Sequence, residues 1–424
     1  MKRRKVLCVI LLVVLVITSN VYAQGPVTKE ESVKVVGKGS YFDVSVDLQK
    51  GNSHWNVGKE YGEKILQAVP DYQSIIDSYL AEIASSDDLY NLFIGRVNDI
   101  KPQVNKDYRD EIEGMASAMS GGTTDVRGDG KLSLGEVYLL NLFPDVARGT
   151  ECCALAVYGN RSETRSTMAA RVLDWTVGSK NQLTKVQAVM TIKNGTKSIC
   201  TIGYLGFIGV ISGFNDDKVF AAILDSKTGK QYTSKTKRSY PLDIRYALEN
   251  TKTLKEVARY MKSVNRKYTV GHLIFLADPD TAGVLENNVS GTKWNRELRS
   301  GDSALNTGIT WGISDSVGTV NSFILRGNLD NYSSVKINTA RWKSMKDQLI
   351  SKGSTVTFDE LKQVITYHTS KTNIGKQDEG SLYNDRTQQI ILFEPKTLNL
   401  KVFFKPDSTR AVLTPDFETV KVTF

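Results

Sequence analysis

The stretch that decides the fold is CCALAVYG, residues 152–159. Its leading cysteine is followed by small and apolar residues, and turn-forming residues occupy positions 159–163. A second apolar run, MAARVLDW at 168–175, comes next, so the two runs are typical of a β-hairpin. Strand pairing across this hairpin predicts that Arg171 and Asp174 return beside Cys152.

The grouping of Cys152, Arg171 and Asp174 suits an activated nucleophile. A thiol attacks only as the thiolate. If Cys152 were the first residue of its chain, its own α-amine, with a pKa of about 7.7–8.0, could serve as the base. Asp174 would hold that amine, and Arg171 would favour the thiolate and bind the carbonyl side of a substrate. The alternative is a small buried strand cysteine beside an ordinary ion pair.

Secondary structure changes character at residue 152. Periodicity predicts mainly helices before it and strands with covering helices after it, hence an α+β fold. The predicted helices before residue 152 are two within 57–84, one at 104–120 and one at 134–146. The predicted elements after it are strands at 154–158, 168–173, 186–192, 198–202, 208–214, 219–224, 272–277, 389–393 and 398–404, and helices at 241–249, 253–263, 339–350 and 357–368.

The first 23 residues have the layout of a secretory signal peptide. Four basic residues at 2–5 precede an apolar run over 6–17, and Val21-Tyr22-Ala23 fits a cleavage site. Removing this segment lowers the formal net charge of +9 by four, to +5. The predicted mature protein is therefore exported, whether secreted, periplasmic or lysosomal. It has no membrane-spanning segment and no basic motif of the kind that binds nucleic acid.

The cysteine count leaves an odd number of thiols. Without Cys8, the chain keeps Cys152, Cys153 and Cys200, so at least one should remain unpaired in an oxidising compartment. Alternation along a strand puts Cys152 and Cys153 on opposite faces, and only one can serve as the nucleophile.

Other polar signals are weaker. His54, His272 and His368 lie in no recognisable motif and have no metal-ligand spacing, so neither a metal nor another cofactor is predicted. The run from Asp125 to Glu136 partly fits a twelve-residue calcium loop, but Arg127 stands where an oxygen donor belongs. A solvated loop before a capped helix is the alternative. Four glycosylation sequons begin at Asn160, Asn194, Asn288 and Asn331, and they matter only in a host that glycosylates exported proteins.

Several motifs together resemble the acid ceramidase, choloylglycine hydrolase and isopenicillin-N acyltransferase superfamily. The resemblance extends, with gaps, over residues 35–405. The motifs are GEVYLLNLF at 135–143, CCALAVYG at 152–159, ARVLDW at 170–175, GYLGFIGVISGFN at 203–215, VNSF at 320–323 and TARW at 339–342.

This resemblance implies an αββα sandwich of the N-terminal-nucleophile type. It implies self-cleavage between Glu151 and Cys152 into an α chain, residues 24–151, and a β chain, residues 152–424, that stay associated. Cys152 would be the nucleophile, with Arg171 and Asp174 beside it.

The resemblance also implies roles for residues further along the chain. Asn321 would bind the oxyanion and Arg341 would be an active-site arginine. Asp225 and Trp175 would bind substrate. For Asn321, Arg341 and Asp225 the alternative is an ordinary polar residue of a loop or helix. The chain departs from the family pattern at Ala170 and Val172, and at Asp225 where some members have asparagine.

The sequence thus predicts an exported hydrolase of linear amide bonds. Its substrate would be a small N-acyl amide, which could be a lipid. The same mechanism with an amine acceptor would make it an acyltransferase. A relative that binds lipid or a partner without catalysis is a third hypothesis.

Overall fold

The structure, a computed structural model, describes residues 30–149, 151–226, 233–289, 296–329, 332–408 and 412–424. The predicted signal peptide, residues 1–23, and the sequon at Asn331 lie outside the described residues. Within the described residues, no helix combines the length and apolar character needed to cross a bilayer.

Within the described ranges, six helices precede Cys152. They are α1 (His54–Ala68), α2 (Tyr72–Ile83), α3 (Asp87–Ile100), α4 (Lys106–Ser117), α5 (Leu134–Asn141) and α6 (Phe143–Val146). Ser53 caps α1, and Ser133 with Glu136 forms a capping box on α5, which fixes where these helices begin. Four helices follow: α7 (Tyr240–Asn250), α8 (Leu254–Met261), α9 (Lys336–Ser351) and α10 (Phe358–Ile365).

The strands form two sheets. The larger has nine strands in the order β1-β2-β5-β6-β7-β8-β9-β10-β11. These are β1 (Val33–Gly37), β2 (Phe42–Asp47), β5 (Gln187–Asn194), β6 (Lys197–Tyr204), β7 (Ser212–Asn215), β8 (Phe220–Asp225), β9 (His272–Ala277), β10 (Ala282–Asn287) and β11 (Arg296–Arg299). Neighbouring strands are antiparallel except β2 and β5, which run parallel.

The smaller sheet has six strands in the order β12-β3-β4-β13-β14-β15. These are β3 (Cys153–Val157), β4 (Met168–Asp174), β12 (Ser316–Val320), β13 (Thr387–Glu394), β14 (Asn399–Phe404) and β15 (Glu418–Val420). The predicted hairpin is β3 and β4, in which Ala154 lies opposite Arg171.

The two sheets pack face to face between layers of helices. Phe214 of β7 stacks on Phe393 of β13 with ring centroids 4.3 Å apart, which joins the inner faces of the sheets. The outer face of the small sheet contributes Cys153 and Leu155 to a separate core with side chains of α9 and α10. Helices α1, α7 and α8 contact the large sheet. The predicted α+β class and αββα sandwich are therefore confirmed.

Most predicted elements are present, and residues before Cys152 are mainly helical as predicted, but two strands were not predicted there. That segment also supplies β1 and β2, which form one end of the large sheet through the pairing of β2 with β5. The predicted helix at 134–146 is broken into α5 and α6 next to Pro144, whose ring cannot continue a helix interior.

Candidate active site

Cys152 lies immediately before β3 and faces the space between the sheets. Its side chain has no solvent exposure, yet it lines a pocket. Arg171 projects from β4 to the same side, because it pairs with Ala154, two residues from Cys152. Its Nη2 lies 3.5 Å from Cys152 Sγ and donates to the carbonyl oxygen of Ile223 at 3.0 Å. The predicted pairing of Cys152 with Arg171 is thus found in the geometry.

Asp174 faces the opposite side of the small sheet. Its Oδ2 forms an ion pair with Arg341 Nη2 at 2.7 Å, and both side chains are buried. The same carboxylate accepts hydrogen bonds from Gln377, Asn384 and Thr387. In the intact chain the Asp174 carboxylate therefore lies on the side of Cys153, because side chains alternate along β4, and its predicted role of holding the α-amine of a cleaved Cys152 stays a prediction.

The backbone of Asp174 nevertheless reaches the nucleophile region. Its carbonyl oxygen accepts the N–H of Glu151 at 3.4 Å, and its backbone N–H acts to lower the pKa of Cys152. The backbone of Glu151, just before the start of β3, is therefore hydrogen-bonded to the last residue of β4.

Arg341 joins this region from α9. Its Nη1 donates to the carbonyl oxygen of Glu151 at 2.6 Å, and its Nη2 lies 3.3 Å from Cys153 Sγ. The guanidinium of Arg341 therefore binds the carbonyl oxygen of the Glu151–Cys152 peptide bond, and Arg171 lies beside the thiol of Cys152. Both cations are at least 99% buried, so their fields act with little screening by water.

The electrostatics of the intact chain keep the Cys152 thiol protonated. Burial raises the pKa of Cys152, with a further rise from Asp174, while Arg171 and Arg341 oppose the increase. Burial also raises the pKa of Cys153 to about 12. With its nitrogen in a peptide bond, Cys152 has no α-amine to act as a base.

The pocket beside Cys152 is mainly apolar. The space not filled by atoms measures about 740 Å³, including open solvent at the mouth of the pocket. Its polar groups include Arg171 and Asp225. Its aromatic and aliphatic lining consists of Tyr79, Leu140, Phe143, Leu173, Trp175, Leu183, Tyr204, Phe207, Ile211, Ile223 and Tyr240. Trp175 and Asp225, the two predicted substrate-binding residues, both line this pocket.

Asp225 is engaged by the segment that precedes Glu151. Its Oδ1 lies 3.2 Å from Arg148 Nη2, and its Oδ2 accepts the N–H of Gly149 at 3.2 Å. Asn321 Nδ2 donates to the backbone carbonyl of Asp225 at 2.6 Å. The structure thus brings Asn321 and Asp225 together.

Several residues of the site carried no recognisable signal in the sequence. Gln377, Asn384 and Thr387 hold Asp174, and Arg148 binds Asp225. Each lies in a segment without a motif, far along the chain from its partner. Only the folded topology brings such residues together.

Each of the three histidines is hydrogen-bonded to another group of the protein. His54 Nδ1 lies 2.8 Å from Glu111 Oε1. Burial lowers the pKa of His272 to about 3, so its ring, hydrogen-bonded to Asn287, is neutral. His368 is hydrogen-bonded to the carbonyl of Ser370.

Groups of the segment 125–136, which partly fits a calcium loop, are hydrogen-bonded to other protein groups. Asp77 accepts the N–H groups of Gly128 and Gly130, while Glu136 caps α5 and accepts the hydroxyl of Tyr90. Within the part of the chain that the structure describes, no cluster of three or more histidine, cysteine, aspartate or glutamate side chains is arranged to hold a metal.

No protein-family model and no curated protein sequence matches the chain. Solved structures do match. An N-acylethanolamine-hydrolyzing acid amidase ortholog from Caenorhabditis elegans matches at 15% identity and a TM-score of 0.43, over 60% of this chain and 100% of that one. Penicillin V acylase from Agrobacterium tumefaciens matches at 12% identity and a TM-score of 0.39, over 63% and 84%.

A mutant of conjugated bile acid hydrolase from Clostridium perfringens matches at 12% identity and a TM-score of 0.37, over 64% of this chain and 97% of that one. At such low identities and TM-scores, these matches carry no argument about activity or individual residues, which must be argued from the site itself.

Proposed function

We propose that this chain is an exported amidase that cuts its own Glu151–Cys152 bond and then uses Cys152 to hydrolyse small N-acyl amides. The observation that carries the proposal is that two arginines contact the atoms that would react at this peptide bond. Arg341 Nη1 lies 2.6 Å from the Glu151 carbonyl oxygen, and Arg171 Nη2 lies 3.5 Å from Cys152 Sγ. One arginine can stabilise an oxyanion while the other favours the thiolate.

Self-cleavage requires no added reactant except water. Cys152 Sγ bonds to the Glu151 carbonyl carbon, and the developing oxyanion is stabilised by Arg341. The carbon–nitrogen bond breaks, and the proton of the thiol passes to the departing nitrogen, which becomes the α-amine of Cys152. Water then cleaves the thioester, releasing the Glu151 carboxylate and restoring the thiol.

The freed amine would activate the enzyme. Before cleavage, the buried thiol has a raised pKa and no base. After cleavage, an amine with an ordinary pKa of about 7.7–8.0 adjoins the sulfur and can accept its proton. The precursor is thus a poor nucleophile toward substrate, and cleavage supplies the missing base.

Turnover follows the same chemistry on a substrate. Sγ bonds to the acyl carbonyl carbon, the amide bond breaks, and the amine leaves with the proton held by the α-amine. Water then hydrolyses the acyl thioester to the acid. Arg171 Nε and Nη1 have no acceptor among the described residues, so their N–H groups remain available to a substrate oxygen.

The pocket supports a substrate with an apolar acyl part. Aromatic and aliphatic side chains line most of its wall, and burying apolar area in such a cavity contributes roughly 25 cal/mol per Å². A lipid or aromatic acyl group suits this lining, and the amide would lie at the end occupied by Cys152.

The test is intact-mass and N-terminal sequence analysis of protein recovered after export. We expect two fragments, one of which begins at Cys152. The variant Cys152→Ala should remain one chain, whereas the matched control Cys153→Ala should still yield both fragments. Uncut wild-type protein, or cleavage that persists in Cys152→Ala, would falsify self-cleavage by this thiol.

Amidase activity has its own assay. A set of N-acyl amides with different acyl lengths and a fluorogenic amine should be hydrolysed by cleaved wild-type protein. Release of amine without a matching amount of free acid would instead indicate transfer of the acyl group to another acceptor.

A further inference from the structure

One carboxylate of the pocket wall, that of Asp225, binds the segment just before the cleavage bond. Asp225 Oδ1 lies 3.2 Å from Arg148 Nη2, and Asp225 Oδ2 accepts the N–H of Gly149 at 3.2 Å. Arg148 also donates to the carbonyl oxygen of Ser226. Both oxygens of Asp225 are therefore directed at residues that would belong to the α chain after cleavage.

The carboxylate itself is held firmly. Asp225 ends β8, where it lies opposite His272 of β9, and its side chain is 7% exposed. Asn321 Nδ2 donates to its backbone oxygen at 2.6 Å, and Asn338 in turn donates to the backbone oxygen of Asn321 at 3.1 Å. The anchoring point is thus connected through Asn338 to helix α9, which also carries Arg341.

The path of the chain at Gly149 depends on this anchor. Gly149 has a φ of +135°, a conformation that L side chains rarely adopt, and its Cα faces the ring of Trp175. Gly149 thus lies against Trp175 and Asp225, and the Glu151 carbonyl binds Arg341. Two attachment points, one at 148–149 and one at 151, therefore fix the bond that is to be cut.

We propose that Asp225 is a positioning residue for self-cleavage, because its carboxylate holds Arg148 and Gly149 so that the Glu151 carbonyl stays between Arg341 and the Cys152 thiol. This inference rests on the proposed function. It assigns Asp225 a role in the precursor, before any substrate enters the pocket. Release of residues 148–151 after cleavage would then leave the Asp225 carboxylate facing the emptied site.

Misplacing a reacting carbonyl by about 1 Å can cost a rate factor of about 100. Removal of one anchor should therefore slow cleavage while leaving the thiol and both catalytic arginines in place. We expect Arg148→Ala and Asp225→Asn each to slow the appearance of the two fragments by about 10- to 100-fold. Arg148→Lys, which keeps a cation near Asp225, should recover much of the rate.

The experiment follows the full-length chain after a short pulse of synthesis and measures the half-time of cleavage on denaturing gels. The double variant Arg148→Ala/Asp225→Asn separates positioning from general damage. If both residues act through one contact, the double variant should cleave about as slowly as the slower single variant. Multiplied effects, or single variants that cleave at the wild-type rate, would overturn the inference.

A matched control removes an ion pair elsewhere on the α segment. Arg127, which is half-buried, places its Nε 2.8 Å from Oδ1 of the exposed Asp87, and Arg127→Ala should leave the cleavage half-time unchanged. Melting temperatures of all variants should stay close to wild type. Failure of wild type to cleave at all would refute the proposed function, whereas normal cleavage in the Arg148 and Asp225 variants would refute only this inference.

Discussion

At the scale of single residues, Arg171 is the group whose contribution can be isolated most cleanly. It is completely buried, lines the pocket and lowers the pKa of Cys152 against the effect of burial. In cleaved protein, Arg171→Met should raise the pH needed for alkylation of Cys152 by iodoacetamide. It should also reduce kcat by about 10²- to 10³-fold, the usual cost of losing one preorganised donor.

Cys200 provides the internal control for that alkylation. It is fully buried, and burial raises its pKa strongly, so it should not react in either protein. Mass analysis of the modified peptide distinguishes the two thiols. An unchanged alkylation profile in Arg171→Met would contradict the role given to this guanidinium.

The ion pair of Asp174 with Arg341 should matter more for stability. The Oδ2–Nη2 distance is 2.7 Å, and each side chain is at least 99% buried. Removing one partner of such a pair leaves an uncompensated buried charge and costs about 3–5 kcal/mol. Asp174→Asn should therefore lower the free energy of unfolding in urea by about that amount, measured with cleavage blocked by Cys152→Ala.

The sequence predicts which residues form this site better than it predicts the sheet face on which each side chain lies. Cys152 and Arg171 were placed together correctly, because both lie on one hairpin whose register follows from the turn. The sequence predicts that Asp174 returns beside Cys152 to hold its α-amine, but not that alternation along β4 turns the carboxylate toward Cys153. Its true partners come from α9 and from the segment before β13, which no local pattern connects to residue 174.

At the scale of elements, α1 and α4 cross at unusually short distance because glycines line the contact. A Cβ at Gly58 would lie 2.0 Å from the carbonyl oxygen of Glu111, and one at Gly114 would lie 2.0 Å from that of Trp55. Gly58 and Gly62 are four residues apart and so lie on one face of α1, a spacing that suits such close packing.

Gly58→Ala tests the glycine contact directly. The added methyl group must push the two backbones apart, which should destabilise the fold by about 1–3 kcal/mol. Gly95→Ala in α3 is the matched control, since a Cβ there meets nothing within 4 Å. The control should stabilise the helix by up to about 1 kcal/mol, so opposite signs in urea unfolding are expected.

Short strands were the elements that sequence patterns predicted least well. β11 spans only Arg296–Arg299 and contains charged residues at three of its four positions. β2 pairs with β5, which lies on the other side of the cleavage bond. Such strands are defined by their neighbours in the sheet, so a pattern confined to one segment predicts them poorly.

At the scale of the whole molecule, the segments on either side of the cleavage bond share buried polar contacts. Arg245 of α7 forms a two-pronged ion pair with Glu111 of α4, at 2.6 and 2.9 Å. Asp145 of α6 accepts the N–H of Tyr240 at the start of α7. These contacts would hold the predicted α and β chains together after cleavage.

Asp145 should make that association depend on pH. Burial raises the pKa of this carboxyl from 3.8 to about 8, with a smaller rise from Asp243. Between these values the folded chain keeps a proton that the unfolded chain releases, so the contribution of Asp145 to stability is largest below about pH 4. It is lost as the pH rises toward 8, with a full change on the order of 5 kcal/mol.

Asp145→Asn should therefore flatten the stability profile, because the amide keeps an acceptor for the Tyr240 N–H and cannot ionise. We expect the melting temperature of wild type, relative to this variant, to fall as the pH is raised from 5 to 9. Cleaved wild-type protein should also release its α chain more readily at pH 9 than the cleaved variant, measured by size exclusion. Parallel profiles for the two proteins would mean that Asp145 ionises without disturbing the contact between α6 and α7.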